Sequence, residues 1–281
     1  MTNPSNVTLS NCDREPIHQL GQIQAFGALI AVNSDWFVAH RSTNLEDIFG
    51  RGRTVEIGAS LTRLMTPGAM DLLRSAAANL AIPDQVERLF GVALFGTDDL
   101  FDCALHSSGA NTIIEIEPHA AGDLNRQLAV LRPIMSRLEK HADLLPLVEE
   151  AARQLRHTLQ IDRVMVYRFR DDLSGEVIAE AAREDLEKFR GLRYPKSDIP
   201  TQARALYVRN RFRIIADVEA EPVSIEPGIS LEGEPLDLSM SALRAVSPIH
   251  IEYLHNMGVG ASLSISIIVG GKLWGLFACH H

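Results

Sequence analysis

The stretch ASLSISIIVGGKLWGLFACHH, residues 261–281, alternates small polar and apolar side chains, meets a Gly-Gly pair, and then resumes an apolar run. Successive side chains of a strand point to opposite faces, so period two reads as a strand whose two faces meet different surroundings. Paired glycines between two such runs mark a tight hairpin, because both central turn positions need positive φ. Just upstream, IDRVMVYRF (161–169) reads as another strand, and GEVIAEAA (175–182) as its hairpin partner across RDDLSG. Before these, Leu144, Leu147, Val148, Ala151, Leu155 and Leu159 recur at three- and four-residue steps, the spacing of one helix face.

The first half carries its own set of elements. GQIQAFGALIAVN (21–33) is a glycine-opened turn running into a strand, and NLEDIFG (44–50) is a short capped segment. A helix is predicted around Gly68–Leu80, then strands at LFGVALFG (89–96) and NTIIEIEP (111–118). HAAGDLN (119–125) has a linker's composition. Residues 221–239, EPVSIEPGISLEGEPLDLS, form a Pro/Gly/Glu-rich loop, and a loop that long inside a compact domain is usually functional or disordered. Residues alone give two consecutive α+β domains joined by a helix, and fold class does not give function.

Composition narrows the classes. The chain has 281 residues, 46% hydrophobic and 22% charged, the balance of a globular protein with a real core. The net charge of −9 argues against nucleic-acid binding. No apolar run approaches the roughly 18–20 residues of a membrane span, and MTNPSNVTLSNCDREP lacks a signal peptide's apolar core. A cytoplasmic protein with no membrane or nucleic-acid partner is the expectation. Three cysteines are too few and too scattered for a disulfide framework or zinc site. Cys103 and Cys279 sit among apolar residues and read as space-filling thiols. Cys12 lies in a polar arm beside Asp13 and Arg14, where a thiol has no core to fill.

Three segments together resemble the bacterial phytochromes over nearly the whole chain: CDREPIHQLGQIQAFGALI, RYPKSDIPTQARALYVRNRFRIIADV and LRAVSPIHIEYLHNMGVGASLSISIIVGGKLWGLFACHH. The resemblance implies a PAS domain followed by a GAF domain, each an antiparallel sheet with flanking helices. It implies residues 1–22 as an arm with the bilin-linking cysteine, 23–120 as PAS, 121–135 as linker and 136–281 as GAF. The arm would thread a long GAF loop in a figure-of-eight knot, with Ile23 inside a lasso that includes part of 221–239. The implied cofactor is biliverdin IXα, and the implied activity is red/far-red photoreception through isomerisation at the bilin D ring. No enzyme activity follows beyond self-catalysed attachment, and the family leaves room for a homodimer through GAF helices.

The same resemblance assigns roles to individual residues. Cys12 would form the thioether, since a thiolate is the reactive form. Plant and cyanobacterial relatives carry the linking cysteine just before the histidine matching His250, and Ile249 stands there, which favours biliverdin. The Asp198 carbonyl, within Asp198-Ile199-Pro200, would accept ring N–H groups, because a buried cation needs acceptors. His250 would sit beside the rings and His280 on the D-ring carbonyl. Arg213 and Arg244 match propionate clamps, and Tyr207, Ser262 and Ser264 match their hydroxyl partners. Tyr167, Tyr194 and Tyr253 match the aromatic D-ring pocket. From the residues alone, Asp198 reads equally well as a helix N-cap ahead of Pro200, and the histidines as satisfied core groups. Cys279-His280-His281 is not a metal site, since adjacent strand residues face opposite ways.

Two departures weaken the match of the arm: Gln19-Leu20 stands where the family commonly has Ile-Pro, and Ala25-Phe26 where it has Pro-His. A family member would also continue past His281 through a PHY domain and often a histidine-kinase output, so a photosensory fragment is the expectation. The rival readings are a PAS–GAF sensor of another small ligand, such as a cyclic nucleotide, and a cysteine hydrolase built on Cys12. A flexible arm is a poor place to hold a catalytic nucleophile in register.

Overall fold

ALIAV is apolar at every position, and as β2 (Ala28–Val32) it is buried throughout, the pattern of a strand covered on both faces. The computed structural model describes residues 15–120, 122, 124–230 and 233–281. Among these, Pro16–Ala120 and Glu219–Ser247 make one unit, and Ala121–Val218 with Pro248–His281 make the other.

The first unit is a seven-stranded sheet in the order β1-β11-β3-β2-β6-β5-β4. Its strands are β1 (Gln22–Ile23), β2, β3 (Val38–Ser42), β4 (Val86–Val92), β5 (Phe101–Ser108), β6 (Asn111–Pro118) and β11 (Val223–Glu226), with helices α1 (Leu45–Phe49) and α2 (Pro67–Ala78). Helix α2 starts where Thr66 accepts a hydrogen bond from the Ala69 amide, with Pro67 at the first helical position. One sheet face packs Ile30, Leu105, Ile114 and Ile116 with Leu73 of α2 and Phe49, Phe95 and Phe101, whose rings lie 5.1–5.7 Å apart. The other buries Leu29, Ala31 and Ile113 beneath Ile225, Leu236, Leu238 and Leu243 of residues 219–247.

Part of the predicted 221–239 loop is therefore sheet, since β11 pairs with β1 on one side and β3 on the other. Ile23 pairs with Val223 and also bridges Arg244, so two parts of the same segment flank it. Strands β3 and β5 are not marked by the sequence pattern. VAHRS and FDCALHSS put His40, Ser42 and His106 at buried positions, which breaks the apolar alternation that betrays a strand.

The second unit is a six-stranded antiparallel sheet in the order β10-β12-β13-β7-β8-β9. Its strands are β7 (Arg163–Phe169), β8 (Gly175–Ala182), β9 (Arg193–Tyr194), β10 (Phe212–Ile215), β12 (Ser262–Val269) and β13 (Lys272–His280). Its helices are α3 (Leu124–Leu138), α4 (Leu144–Leu159), α5 (Thr201–Arg209) and α6 (Pro248–Asn256). The predicted hairpin is β12–β13, turned by Gly270 and Gly271 at φ 57° and 75°. Helix α4 lays Val148 and Ala152 on Val164, Val166, Ala179, Ala181 and Cys279, while α5 packs against β12 and β13. Cys103 and Cys279 are both buried, and burial pushes each thiol up to about 12, as space-filling cysteines require.

Candidate functional site

Strand alternation sorts the second sheet into two faces. Val164 and Val166 of β7 and Phe277 and Cys279 of β13 face α4. Met165, Tyr167, Leu276 and Ala278 face the other way, joined by Phe169, Phe189, Tyr194, Ile199 and Tyr207. Antiparallel partners point to the same side, so the register carries polar residues onto this second face. Ser262 lies opposite His280, Ser264 opposite Ala278 and Arg213 opposite Ser264. The alternating serines of SLSISI thus belong to one face.

Tyr167 occupies the middle of this face, its ring centroid 5.3 Å from Phe169 and 6.0 Å from Tyr194. The ring fits only because residue 175 is glycine: a Cβ there would lie 1.6 Å from Tyr167 Cζ. Burial raises the phenol pKa values of Tyr167, Tyr194 and Tyr253, the last to about 12, and the Asp198 charge adds to each rise. Four residues separated in sequence therefore share one electrostatic neighbourhood. Burial also raises the Asp198 carboxyl pKa, opposed by a 3.5 Å hydrogen bond from Ser197.

The loop carrying Asp198 and Ile199 is stapled by Arg204, whose Nη1 donates to Ile199 O at 2.7 Å and Lys196 O at 3.3 Å. The N-cap of α5 is Pro200, so Asp198 does not serve as the cap that its place in the sequence allows. Tyr207 of α5 donates to Ser264 Oγ at 3.4 Å, and Ser266 Oγ donates to Tyr207 O at 2.7 Å. On α6, His250 stacks on Tyr253 with centroids 6.1 Å apart and planes 11° apart.

His280 closes the opposite end of the face. Burial, then the nearby Arg163 guanidinium, pushes its imidazole down to about 4, so the ring is neutral at pH 7. Arg163 forms a buried ion pair with Glu180 at 2.7 Å, both side chains under a tenth exposed. Its guanidinium also lies 3.8 Å from the Phe189 ring centroid, and Glu180 accepts the Phe189 and Arg190 amides. Two buried polar atoms on this face, Tyr167 Oη and His280 Nδ1, have no hydrogen-bond partner among the described residues. Buried polar groups are ordinarily bonded, so each is an opening for a polar ligand group or an ordered water.

The structure therefore brings together Asp198, Tyr167, Tyr194 and Tyr253, joins Tyr207 to Ser264, and places Ser262, His280 and Arg213 on the same sheet face. Arg244 belongs to the first unit, where its Nη1 donates to Ile17 O at 2.9 Å. Cys12 lies outside the described residues. The sequence reading passed over Arg204 and the Arg163–Glu180 pair. Arg204 left one signal: a cation in the first turn of a helix opposes the helix dipole and calls for another use. Among the described residues no cluster of three or more His, Cys, Asp or Glu could hold a metal ion, and no helix is long and apolar enough to cross a membrane.

Residues 12–119 match the PAS fold family and residues 143–281 the GAF domain family. A bacteriophytochrome of Pseudomonas aeruginosa is 44% identical, with all of this chain and 38% of the relative aligned. One of Xanthomonas campestris is 38% identical, again over all of this chain and 44% of its own length. The cyanobacterial phytochrome B of Nostoc sp. is 40% identical over the whole chain and 38% of its length. The chain spans less than half the length of these relatives.

Proposed function

Because the chain belongs to the phytochrome family, through a PAS domain followed by a GAF domain, we propose that it is the bilin-binding part of a red-light photoreceptor. The observation that carries this reading is the polar face of the second sheet. Three tyrosines and Asp198 gather there, a neutral His280 lies farther along the same face, and two buried polar atoms have no partner among the described residues. An apolar face carrying a few placed polar groups suits a flat, conjugated ligand. The ligand proposed is biliverdin IXα.

When bound, a bilin supplies red absorption and a double bond that light isomerises. The chain's own residues do the rest. Cys12 supplies the nucleophile for a thioether, reacting as the thiolate. Asp198 O, on the turn braced by Arg204, accepts ring N–H groups, with Ile199 against the ring and His250 alongside. His280, kept neutral, donates one ring N–H to a carbonyl oxygen. Arg213, Arg244, Tyr207, Ser262 and Ser264 hold the two propionates, and Tyr167, Tyr194 and Tyr253 line the ring that turns. The same reading takes residues 1–22 as arm, 23–120 as PAS, 121–135 as linker and 136–281 as GAF. It takes the arm to thread a lasso, which the flanking of Ile23 by Val223 and Arg244 supports. Signalling through PHY and kinase regions of a longer protein completes the proposal.

Mixing the purified chain with biliverdin should produce a long-wavelength red absorption band. Cys12→Ser should keep the band and lose covalent loading, seen as loss of zinc-induced bilin fluorescence on a denaturing gel. No red band overturns the reading. A Cys12→Ser chain that still fluoresces on the gel overturns the linkage.

A further inference from the structure

Glu115 of β6 stands beside Leu29 and Ile113 on a mostly apolar sheet face that also buries His40 and His106, and is only 2% exposed. A buried carboxylate is costly unless well bonded, and an apolar side chain of similar size would usually be no worse for stability. The bonds of Glu115 go to one place. Its carboxylate accepts the Ser241 hydroxyl, the Leu243 amide at 2.7 Å and the Ala242 amide at 3.1 Å.

The far side of the same segment holds the arm. Leu243 O accepts the Gln24 amide at 2.7 Å, and the Ala245 amide donates to Gln22 O at 3.1 Å. Gln24 Nε2 donates to Ala242 O and Arg244 O, and Arg244 reaches Ile17 O. The Leu243 peptide is thus bound at its N–H by Glu115 and at its carbonyl by the arm. Cys12 lies five residues ahead of Ile17 in the chain.

We propose that Glu115 is a positioning residue for bilin attachment: by holding residues 241–243 it fixes the arm at 17–24 and so restricts where the Cys12 thiol can go. This rests on the reading that Cys12 is the linking nucleophile. Attachment then gains from proximity, since a tethered thiol reacts faster the fewer positions it samples. Glu115 touches no reacting atom and acts only through the segment it holds. Replacing it by glutamine leaves an amide donor facing donors, and the segment loosens while the residues of the second sheet stay as they are.

The test separates attachment from binding. At saturating biliverdin the first-order rate of covalent loading should fall at least about tenfold in Glu115→Gln. Affinity for biliverdin, measured with Cys12→Ser present in both chains, should fall no more than about threefold, because Arg244 is the one proposed ligand residue that adjoins the loosened segment. Ser241→Ala, which deletes one donor and leaves two, should slow loading about threefold; it decides the matter if Glu115→Gln does not fold. Hydrogen exchange without biliverdin should show Gln24, Ala242 and Leu243 amides losing protection in Glu115→Gln, or in Ser241→Ala when only that variant folds. A folded Glu115→Gln chain that loads at the normal rate, or unchanged protection at those three amides, overturns the proposal. If the unaltered chain binds biliverdin but never links it, the reading of Cys12 fails, and the exchange measurement still shows whether Glu115 holds the arm.

Discussion

The two faces of the second sheet are made by the same strands and end in different states. Toward α4, Val164, Val166, Ala179 and Cys279 meet Val148 and Ala152, and the chain completes its own packing there. On the opposite face the same alternation presents Tyr167, His280, Ser262 and Ser264, and two buried polar atoms find no partner among the described residues. A face selected only for stability would replace Tyr167 by phenylalanine and His280 by an apolar residue, since unbonded buried polar groups cost free energy. On the proposed function, the contrast separates residues kept for folding from residues kept for a ligand.

The strongest way to break the contrast is to disturb the packing of each face in turn. Gly175→Val places carbon inside the volume of the Tyr167 ring. Tyr167 must leave, so the red band should be lost, with roughly 3 kcal/mol or more of stability. Val164, fully buried on the α4 face, gives the counterpart. Val164→Ala should cost about 2 kcal/mol in urea unfolding and leave the spectrum unchanged. A spectral shift from Val164→Ala, or an unaltered spectrum in Gly175→Val, would erase the distinction between the faces.

A second test uses pH on the chain without bilin. The His280 imidazole is lowered from 6.5 to about 4. A lowered folded value means that the unfolded chain binds the proton first as pH falls. The stability held by neutral His280 is therefore complete above pH 6.5, declines as pH drops toward 4, and is gone below it. Between about pH 7.5 and pH 4.5 the unaltered chain should lose roughly 2–3 kcal/mol more than His280→Gln does. His106 in the first unit, also lowered by burial, contributes to both chains alike and cancels in the difference. Equal pH dependence in the two chains would mean that His280 is not buried as described.

How much of this could be read beforehand depends on whether chemistry was local. The β12–β13 hairpin, the β7–β8 hairpin and α4 announce themselves because their signals, Gly-Gly and strict periodicity, lie within one short window. Asp198-Ile199-Pro200 and the serine alternation were visible for the same reason. β3 and β5 were hidden because they bury histidine and serine, and in β3 the partners, the Leu29 amide for Ser42 and Pro227 O for His40, come from other segments. The use of 219–247 as a cover for the first sheet was hidden too, since nothing in a Pro/Gly-rich stretch says which sheet it will join. Glu115 lies between Ile114 and Ile116, an alternation that by itself points to the solvent side of an amphipathic strand. Only the packing of Ser241, Ala242 and Leu243 over it reveals a buried carboxylate.

The smallest expected effect sharpens the contrast most, because it alters a single oxygen. Tyr167→Phe removes the hydroxyl that has no partner among the described residues and keeps the ring over Gly175. If that hydroxyl serves only the ligand, the chain without bilin should be unfolded no more easily than before. It should gain up to about 1 kcal/mol from losing an unsatisfied buried group. With biliverdin bound, the same change should shift the absorption maximum or the yield of light-induced conversion, since a polar contact to the ring is gone. Urea unfolding without bilin and illuminated spectra with it measure the two halves separately. A loss of about 1 kcal/mol or more in the bilin-free chain would mean that the hydroxyl is bonded within the fold. Tyr167 would then belong with the residues kept for stability, on the same footing as Val164 across the sheet.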